Sequence, residues 1–279
     1  LGNRTVDAIG AELLNEPKPG EYADIQKARP YPAFARIRAY GNPGRTWYNG
    51  LQAKLERRFT GGLLYTLAYS FGRHMRENIE SSETELLVPY APAGYHRGRH
   101  AFDLRHVLTV NSVYELPFGR GRKWLGSPHP IVEAVLGQWQ WSGIYRFWSG
   151  TPLSIFAPGA TLGNGQNTRA NLVGDPKLAE PTPKKWFNPA AFAAPPRTAW
   201  GNSGIGIVEG PGLHLVDFGL MKNFRFTESR YLQVRWEMFN LPNHVNYNNP
   251  VTSSGLATTG EITSAKDARQ MQLALKFVF

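Results

Sequence analysis

Hydrophobic and polar residues alternate along seven segments of the chain, and this period of two constrains the fold more than any other feature. The last segment reads RQMQLALKFVF, where large apolar residues occupy the odd positions from Met271 to Phe279. Successive side chains of a β-strand point to opposite faces, so each segment predicts a strand with one apolar and one polar face. The predicted strands lie near residues 46–59, 63–75, 103–116, 138–150, 214–226, 231–244 and 269–279.

The connections between these strands alternate between short or medium and long. The short or medium connections are Thr60–Gly62, Phe118–Gly137 and Thr227–Arg230. The long connections are Arg76–His100, Thr151–Leu213 and Asn248–Ala268. This alternation is typical of a transmembrane β-barrel with short periplasmic turns and long extracellular loops. A soluble β-sandwich shares the period of two, but it gives no reason for loop lengths to alternate, and its inner face is usually aliphatic rather than aromatic.

The predicted fold class is therefore all-β, the C-terminal portion of a transmembrane antiparallel β-barrel. Bacterial single-chain barrels have an even number of strands, and the sequence begins with Leu1, so we expect about seven strands of a longer chain. Residues 1–45 are expected to form an extracellular loop or strand extension, and residues 46–279 the C-terminal part of the barrel. The final aromatic residue would lie in the interfacial girdle at the periplasmic rim.

The net charge of +10 suggests nucleic-acid binding as one class of function. The basic residues are scattered singly between apolar positions, and the densest cluster, Gly119–Lys123, is short and falls in a turn. A basic barrel interior, or contact with anionic lipid headgroups, accounts for the charge equally well, so we predict no nucleic-acid partner. The absence of cysteine excludes a disulfide framework and a thiolate metal site.

Strand parity also selects the side chains that would face the barrel interior. The basic candidates are Lys54, Arg58, Arg105, Arg146, Arg225, Arg235 and Lys276. The acidic residues on the same face are Glu56, Glu115, Asp217 and Glu237. The positive surplus could favour an anionic solute, or it could pair with acidic groups elsewhere in the protein. Lys222 falls on the apolar face and interrupts the pattern of its strand.

Three further groups of polar residues are candidate sites. The spacing of His100, Asp103 and His106 could suggest a metal site, but Asp103 and His106 fall on opposite faces by parity, so we expect a polar cluster at the strand entry. An acidic run in a long loop is either solvated or attracts cations: Glu77, Glu80, Glu83 and Glu85. A set of amides either binds polar ligands or satisfies loop backbone: Asn240, Asn243, Asn246, Asn248 and Asn249.

The sequence contains no Ser/His/Asp order, no GxSxG motif and no phosphate-binding glycine loop. The glycines of GNSGIGIVEG lack the GxGxxG spacing. We therefore predict no catalytic site, no metal and no cofactor.

Many short segments, in the right order, resemble one family. Among them are TWYNGLQAKLERRFTGGLLYTLAYSFGRHM, HAFDLRHVLTVNSVYELPFGRGRKW, GQWQWSGIYRFWSGTPLSI and GPGLHLVDFGLMKNFRFTESRYLQVRWEMFNLPNHVNYNNP. They resemble the Oar-like group of TonB-dependent outer-membrane receptors, which is abundant in acidobacteria, and the resemblance covers most of residues 31–279. It implies an N-terminal extension with a carboxypeptidase-regulatory-like domain, then a plug domain, then a barrel of about 22 strands.

The resemblance implies a function and a set of partners. The function would be ligand capture and energy-coupled import of a solute across the outer membrane of a Gram-negative-type bacterium. The partners would be outer-membrane lipid, the TonB complex through the plug, a small solute, and the barrel-assembly machinery, which would recognise a C-terminal signal at Phe277 and Phe279. The alternatives are an outer-membrane surface or adhesion barrel without transport, and a soluble β-rich binding domain.

Overall fold

The computed structural model of the chain describes residues 2–78, 89–159, 162–227 and 229–279. Its main element is an antiparallel sheet with eight long strands, β1 (Gly2–Leu13), β2 (Arg38–Thr60), β3 (Leu63–Glu77), β4 (His106–Glu115), β5 (Trp139–Trp148), β6 (Leu213–Arg225), β7 (Tyr231–Phe239) and β8 (Gln270–Val278). Each of these strands pairs with its neighbours in sequence, and β1 and β8 lie at the two ends of the order. The short strand Arg97–Arg99 pairs with the end of β3.

All seven segments predicted from alternation form strands, but the described sheet has eight long strands rather than seven. The additional strand is β1, which pairs with β2 from Gly2 opposite Gly50 to Leu13 opposite Arg38. Four strands are shorter than predicted: β4 begins at His106, β7 ends at Phe239, and β5 and β8 are shorter by a few residues at their ends.

Strand β2 is much longer than a membrane crossing requires. It has 23 residues, which span about 75 Å at the usual rise of a strand, whereas roughly 9–11 tilted residues cross a bilayer. The part of β2 that pairs with β3 ends at the short turn near Thr60. The hairpin of β1 and β2 therefore continues, at the end that carries the long loops, well beyond the length that a membrane crossing would need.

The strand register puts the apolar side chains on one continuous face. Leu67 of β3 lies opposite both Leu55 of β2 and Val110 of β4. At the other side of the sheet, Trp236 lies opposite Leu220 and Leu273. Large side chains of this face that are exposed include Leu51, Leu55, Phe71, Trp141, Trp236, Met271, Leu273, Leu275 and Phe277. Water-soluble proteins cover such a band, whereas a barrel wall leaves it open to lipid.

The end of the sheet opposite the long loops carries three connections. The tightest joins Thr60 to Leu63 through Gly61 and Gly62, whose φ angles are 62° and 83°. Positive φ at both central residues suits the twist of a hairpin and favours glycine. The connection from β4 to β5 contains the helix Pro130–Leu136. Among the described residues no helix is both long and apolar enough to cross a membrane.

The long connections fold together into a cap with its own small core. We call this the loop cap, and among the described residues it comprises 14–37, 89–105, 149–159, 162–212 and 240–269. It contains the helix Ile25–Ala28, the 3-10 helix Pro189–Ala191, and two short strand pairs, Pro152–Leu153 with Val208–Glu209 and Asn171–Leu172 with Phe192–Ala193. The apolar core consists of Leu153, Ile155, Ala170, Phe187, Ala191, Phe192 and Val208.

Close backbone contact within the loop cap predicts the effect of adding one methyl group. A Cβ at Gly201 would overlap the carbonyl oxygen of Arg169, whereas a Cβ at Gly204 would meet no heavy atom within 4 Å. We expect Gly201→Ala to destabilise the loop cap by about 2 kcal/mol through overpacking. Limited proteolysis of the protein in detergent micelles should then cleave the cap roughly 30-fold faster, since cleavage follows the opened population. Gly204→Ala is the matched control, and equal cleavage rates for the two variants would contradict the packing described here.

Candidate functional site

One ion pair joins two neighbouring strands on the polar face of the sheet, which is the face opposite the exposed apolar band. A guanidinium nitrogen of Arg146 in β5 lies 2.5 Å from a carboxylate oxygen of Asp217 in β6, and the Asp217 side chain is only 13% exposed. The other carboxylate oxygen of Asp217 accepts a hydrogen bond of 3.0 Å from the backbone N–H of Asn240. Asp217 therefore connects the wall of the sheet to the start of a loop-cap segment.

Other predicted interior residues make contacts along the same face. Lys54 pairs with Glu56 at 2.5 Å, with both side chains exposed. Arg235 donates to the Gln233 side chain at 2.5 Å, and that amide donates to Asn223 at 2.9 Å. The register places Lys276 directly opposite Gln233. A hydrogen-bonded polar row thus crosses β6 and β7, with Lys276 of β8 beside it.

The remaining three basic candidates lie at the margins of the strands. Arg58 falls where the β2–β3 register shifts, so parity does not assign its side chain to a face. Arg105 precedes β4, and its carbonyl accepts from the Gly72 N–H. Arg225 ends β6. That these side chains line a barrel interior remains a prediction.

Two members of the predicted strand-entry cluster, His100 and Asp103, both contact His74 at the end of β3. Asp103 accepts from the backbone N–H of His74 at 2.6 Å and from Nε of Arg99 at 2.7 Å. The ring of His100 stacks on that of His74, with centroids 4.3 Å apart. Asp103 and His100 thus fasten the segment before β4 to the end of β3.

His106 lies apart from this cluster. Its Nδ1 is 2.9 Å from the hydroxyl of Tyr69, and its direct neighbour in β3 is Phe71, on the apolar side of the sheet. The structure therefore does not gather the three spaced residues around one point. Of the acidic run, only Glu77 lies within the described residues, and Glu80, Glu83 and Glu85 fall outside them.

The amides of the FNLPNHVNYNNP segment bond to the loop cap itself. Buried Asn240 donates to the carbonyl of His244 and accepts from its N–H, at 2.9 and 3.0 Å. Asn246 makes the same pair of bonds with the backbone of His214. Asn243 accepts from the Arg269 N–H at 3.0 Å. Of the two interpretations of these amides, satisfaction of loop backbone accounts for these contacts.

A second polar centre of the loop cap gave no recognisable pattern in the sequence. Fully buried Asn15 donates through its amide to the carbonyls of Tyr31, Phe34 and Ala35. The adjacent carboxylate of Glu16 is also buried and pairs with Arg29 at 3.1 Å and Arg36 at 2.8 Å. The two residues fold the connection between β1 and β2 around themselves, and only tertiary contact distinguishes them from ordinary loop residues.

Two cavities open at opposite ends of the sheet. The larger, about 850 Å³, lies at the short-turn end and is lined by residues that include Arg120, Arg122, Glu133, Asn223 and Arg225. The smaller, about 510 Å³, lies beside the loop cap and is lined by residues that include Glu12, Leu13, Glu77, Asn78, Tyr90 and His96. Both have walls of mixed charged, polar and apolar side chains.

The Arg146–Asp217 pair predicts a measurable loss of stability. Asp217→Ala leaves the guanidinium and the Asn240 N–H without this acceptor, and we expect a cost of about 2 kcal/mol, reduced from the fully buried value because Arg146 is 41% exposed. Urea unfolding of the protein in micelles measures it.

The exposed Lys54–Glu56 pair supplies the control for that experiment. Glu56→Gln should change stability by less than about 0.5 kcal/mol, because solvent screens the pair. Equal losses of stability in Glu56→Gln and Asp217→Ala would show that the Arg146–Asp217 pair contributes no more to stability than an exposed pair does.

Comparison with known proteins agrees with this architecture. Residues 1–272 match the family described as Outer membrane beta barrel domain. Among solved structures, the siderophore receptor PiuA from Acinetobacter baumannii aligns with a TM-score of 0.39 and 11% identity, over 86% of this chain and 23% of that receptor. No curated protein matches the chain. Because the family match extends over nearly all of the 279 residues, the chain belongs to the outer-membrane β-barrel domain family and lies in the outer membrane.

Proposed function

We propose that the chain is the C-terminal barrel part of a TonB-dependent receptor of the Oar-like type, which captures a small solute and imports it across the outer membrane. The observation that carries the proposal is the division of the sheet into two faces, one apolar and exposed, the other crossed by charged and amide side chains. A wall of this kind separates lipid from a polar interior. The wall does no covalent chemistry; it encloses and guides the solute.

The loop cap supports the capture step. It is folded around its own apolar core and its Asn15–Glu16 centre, so it presents a preformed surface rather than a loose set of loops. The 510 Å³ cavity opens beside it, where a solute arriving from outside would first meet the protein. A preformed site lowers the entropy cost of binding.

The ion pairs reduce the amount of unpaired positive charge in the predicted interior. Arg146 and Lys54 already have acidic partners in the wall, which leaves less positive charge to attract an anionic solute. Lys276 and Arg235 lie on or beside the polar row. Attraction of an anionic solute and pairing with acidic groups of a plug both remain open for these residues.

The folded loop cap also favours the second candidate, a surface or adhesion barrel without transport. A cap with its own core could hold a partner at the cell surface while nothing passes through the wall. The exposed apolar band and the family membership argue against the third candidate, a soluble binding domain.

Two measurements on the complete protein distinguish transport from adhesion. The first is the reading frame upstream of the Leu1 codon, which should encode a plug domain and a TonB-contacting segment. The second compares cells that carry the gene with cells that lack it. Mass spectrometry measures which solutes each kind of cell removes from a defined medium. We expect gene-dependent removal of at least one small solute, and its loss on adding a protonophore.

Three other results would contradict the transport proposal. A nearby start codon without a plug would remove the transport proposal. Solute removal that depends on the gene but is insensitive to the protonophore would indicate surface binding. Gene-dependent adherence of cells without any solute removal would support the adhesion candidate.

A further inference from the structure

The connection between β4 and β5, residues 117–138, is unusually apolar for a turn that water surrounds. Its large apolar side chains that are exposed, between 43% and 68%, are Trp124, Leu125, Ile131, Val135 and Leu136. Ile131 and Val135 are four residues apart on the helix Pro130–Leu136 and share one of its sides. We call this connection the rim turn.

Two side chains of the apolar sheet face hold the rim turn in place. The indole N–H of Trp139 donates to the carbonyl of Val135 at 2.8 Å, and the ammonium of Lys222 donates to the carbonyl of Gly137 at 2.5 Å. Trp139 and Lys222 are directly opposite each other in the β5–β6 register. The end of the helix is therefore attached to the lipid-facing side of the wall, and its apolar residues continue the apolar face past the strand ends.

Lys222, which the sequence pattern marks as out of place, has a defined role in this arrangement. It is 4% exposed, and its ammonium lies 4.9 Å from the ring centre of Trp139 and 5.1 Å from that of Phe224. A lysine on a lipid-facing surface extends its head to the polar boundary. Here its head reaches the backbone of the rim turn at the Gly137 carbonyl.

Two basic residues of the rim turn, Arg120 and Lys123, are exposed, whereas its one acidic residue, Glu133, is half-buried. The carboxylate of Glu133 accepts from the Arg120 N–H at 2.7 Å and from the Gln138 side chain at 3.2 Å. Lys123 is exposed and lies 5.5 Å from the ring centre of Trp124. Aromatic and apolar side chains with flanking basic residues are the composition of interfacial membrane anchors.

We propose that the rim turn is a membrane-interface anchor, which inserts Trp124, Ile131 and Val135 at the boundary between headgroups and acyl chains of the periplasmic leaflet and places Arg120 and Lys123 against anionic phospholipid headgroups. It fixes the height of the wall in the bilayer at its short-turn end. The occupant is phospholipid because the surface is continuous with the lipid-facing wall.

These 279 residues contain no cysteine, so a cysteine introduced here is the only labelling site within them, and any cysteine elsewhere in the complete protein is first replaced by serine. The complete protein is reconstituted in vesicles of phosphatidylethanolamine and phosphatidylglycerol, with spin labels at Ile131→Cys and Val135→Cys in separate samples. Leu273→Cys, on the exposed apolar face, is the bilayer control, and Glu180→Cys, exposed in the loop cap, is the water control. Accessibility of each label to oxygen and to a polar nickel complex gives its depth.

We expect both rim-turn labels to lie between the two controls, with oxygen accessibility above that of position 180. Water-like accessibility at positions 131 and 135 would overturn the proposal. Labels that neither oxygen nor the nickel complex can reach would also overturn it, since they would indicate a protein partner. Leu136→Cys provides a third label if one of the others disturbs the helix.

A second comparison isolates the contribution of charge. The rim-turn labels should lie deeper in vesicles that contain phosphatidylglycerol than in vesicles of phosphatidylcholine alone. Replacing Arg120→Gln and Lys123→Gln together should abolish that difference while both labels remain at the interface. An unchanged difference in the double variant would exclude headgroup recognition by these two residues.

Discussion

The structure depends on one constraint, that a backbone crossing lipid must find every hydrogen-bond partner within the protein. Neighbour-to-neighbour antiparallel pairing meets this constraint from β1 to β8, and the apolar side chains then lie on the lipid side because the strand period is two. The two outer edges of the sheet need partners in a bilayer for the same reason. At the long-loop end, where water can satisfy backbone groups, the chain is free to form the irregular loop cap.

The alternation of apolar and polar residues predicts the sheet, because each of the strands it identifies follows the same local pattern. Leu273 and Leu275 on one side and Gln272 and Lys276 on the other carry the signal without help from distant residues. For residues 1–45 the sequence left a loop or a strand extension open, because GNRTVDAIGAEL has no sustained alternation and the pairing of β1 with β2 is a tertiary fact. The core of the loop cap was missed for the same reason, since Ile155, Phe187 and Val208 meet only after the loops fold.

The candidate site, like the fold, could be predicted from the sequence only in part. Parity could place Arg146 and Asp217 on one face, but not their 2.5 Å contact, nor the bond from Asp217 to the Asn240 backbone. For Asn240 and Asn246 the sequence left ligand binding and contact with loop backbone open, and they bond to loop backbone. Lys222 looked like a defect in its strand, yet it bonds to the rim turn. Asp217, the two asparagines and Lys222 each meet a backbone carbonyl or N–H, a partner that carries no signature in sequence.

The central claim is that one face of the sheet contacts lipid and the other contacts water, and neighbouring residues of one strand test it most directly. Single cysteines at Lys54 and Leu55 in β2, and at Lys276 and Leu275 in β8, can be placed in the complete protein in lipid vesicles and treated with a membrane-impermeant maleimide from both sides. The account predicts fast reaction at positions 54 and 276 and protection at positions 55 and 275, with the protection lost on unfolding in detergent and urea. Equal reactivity within each pair would contradict a lipid-facing wall.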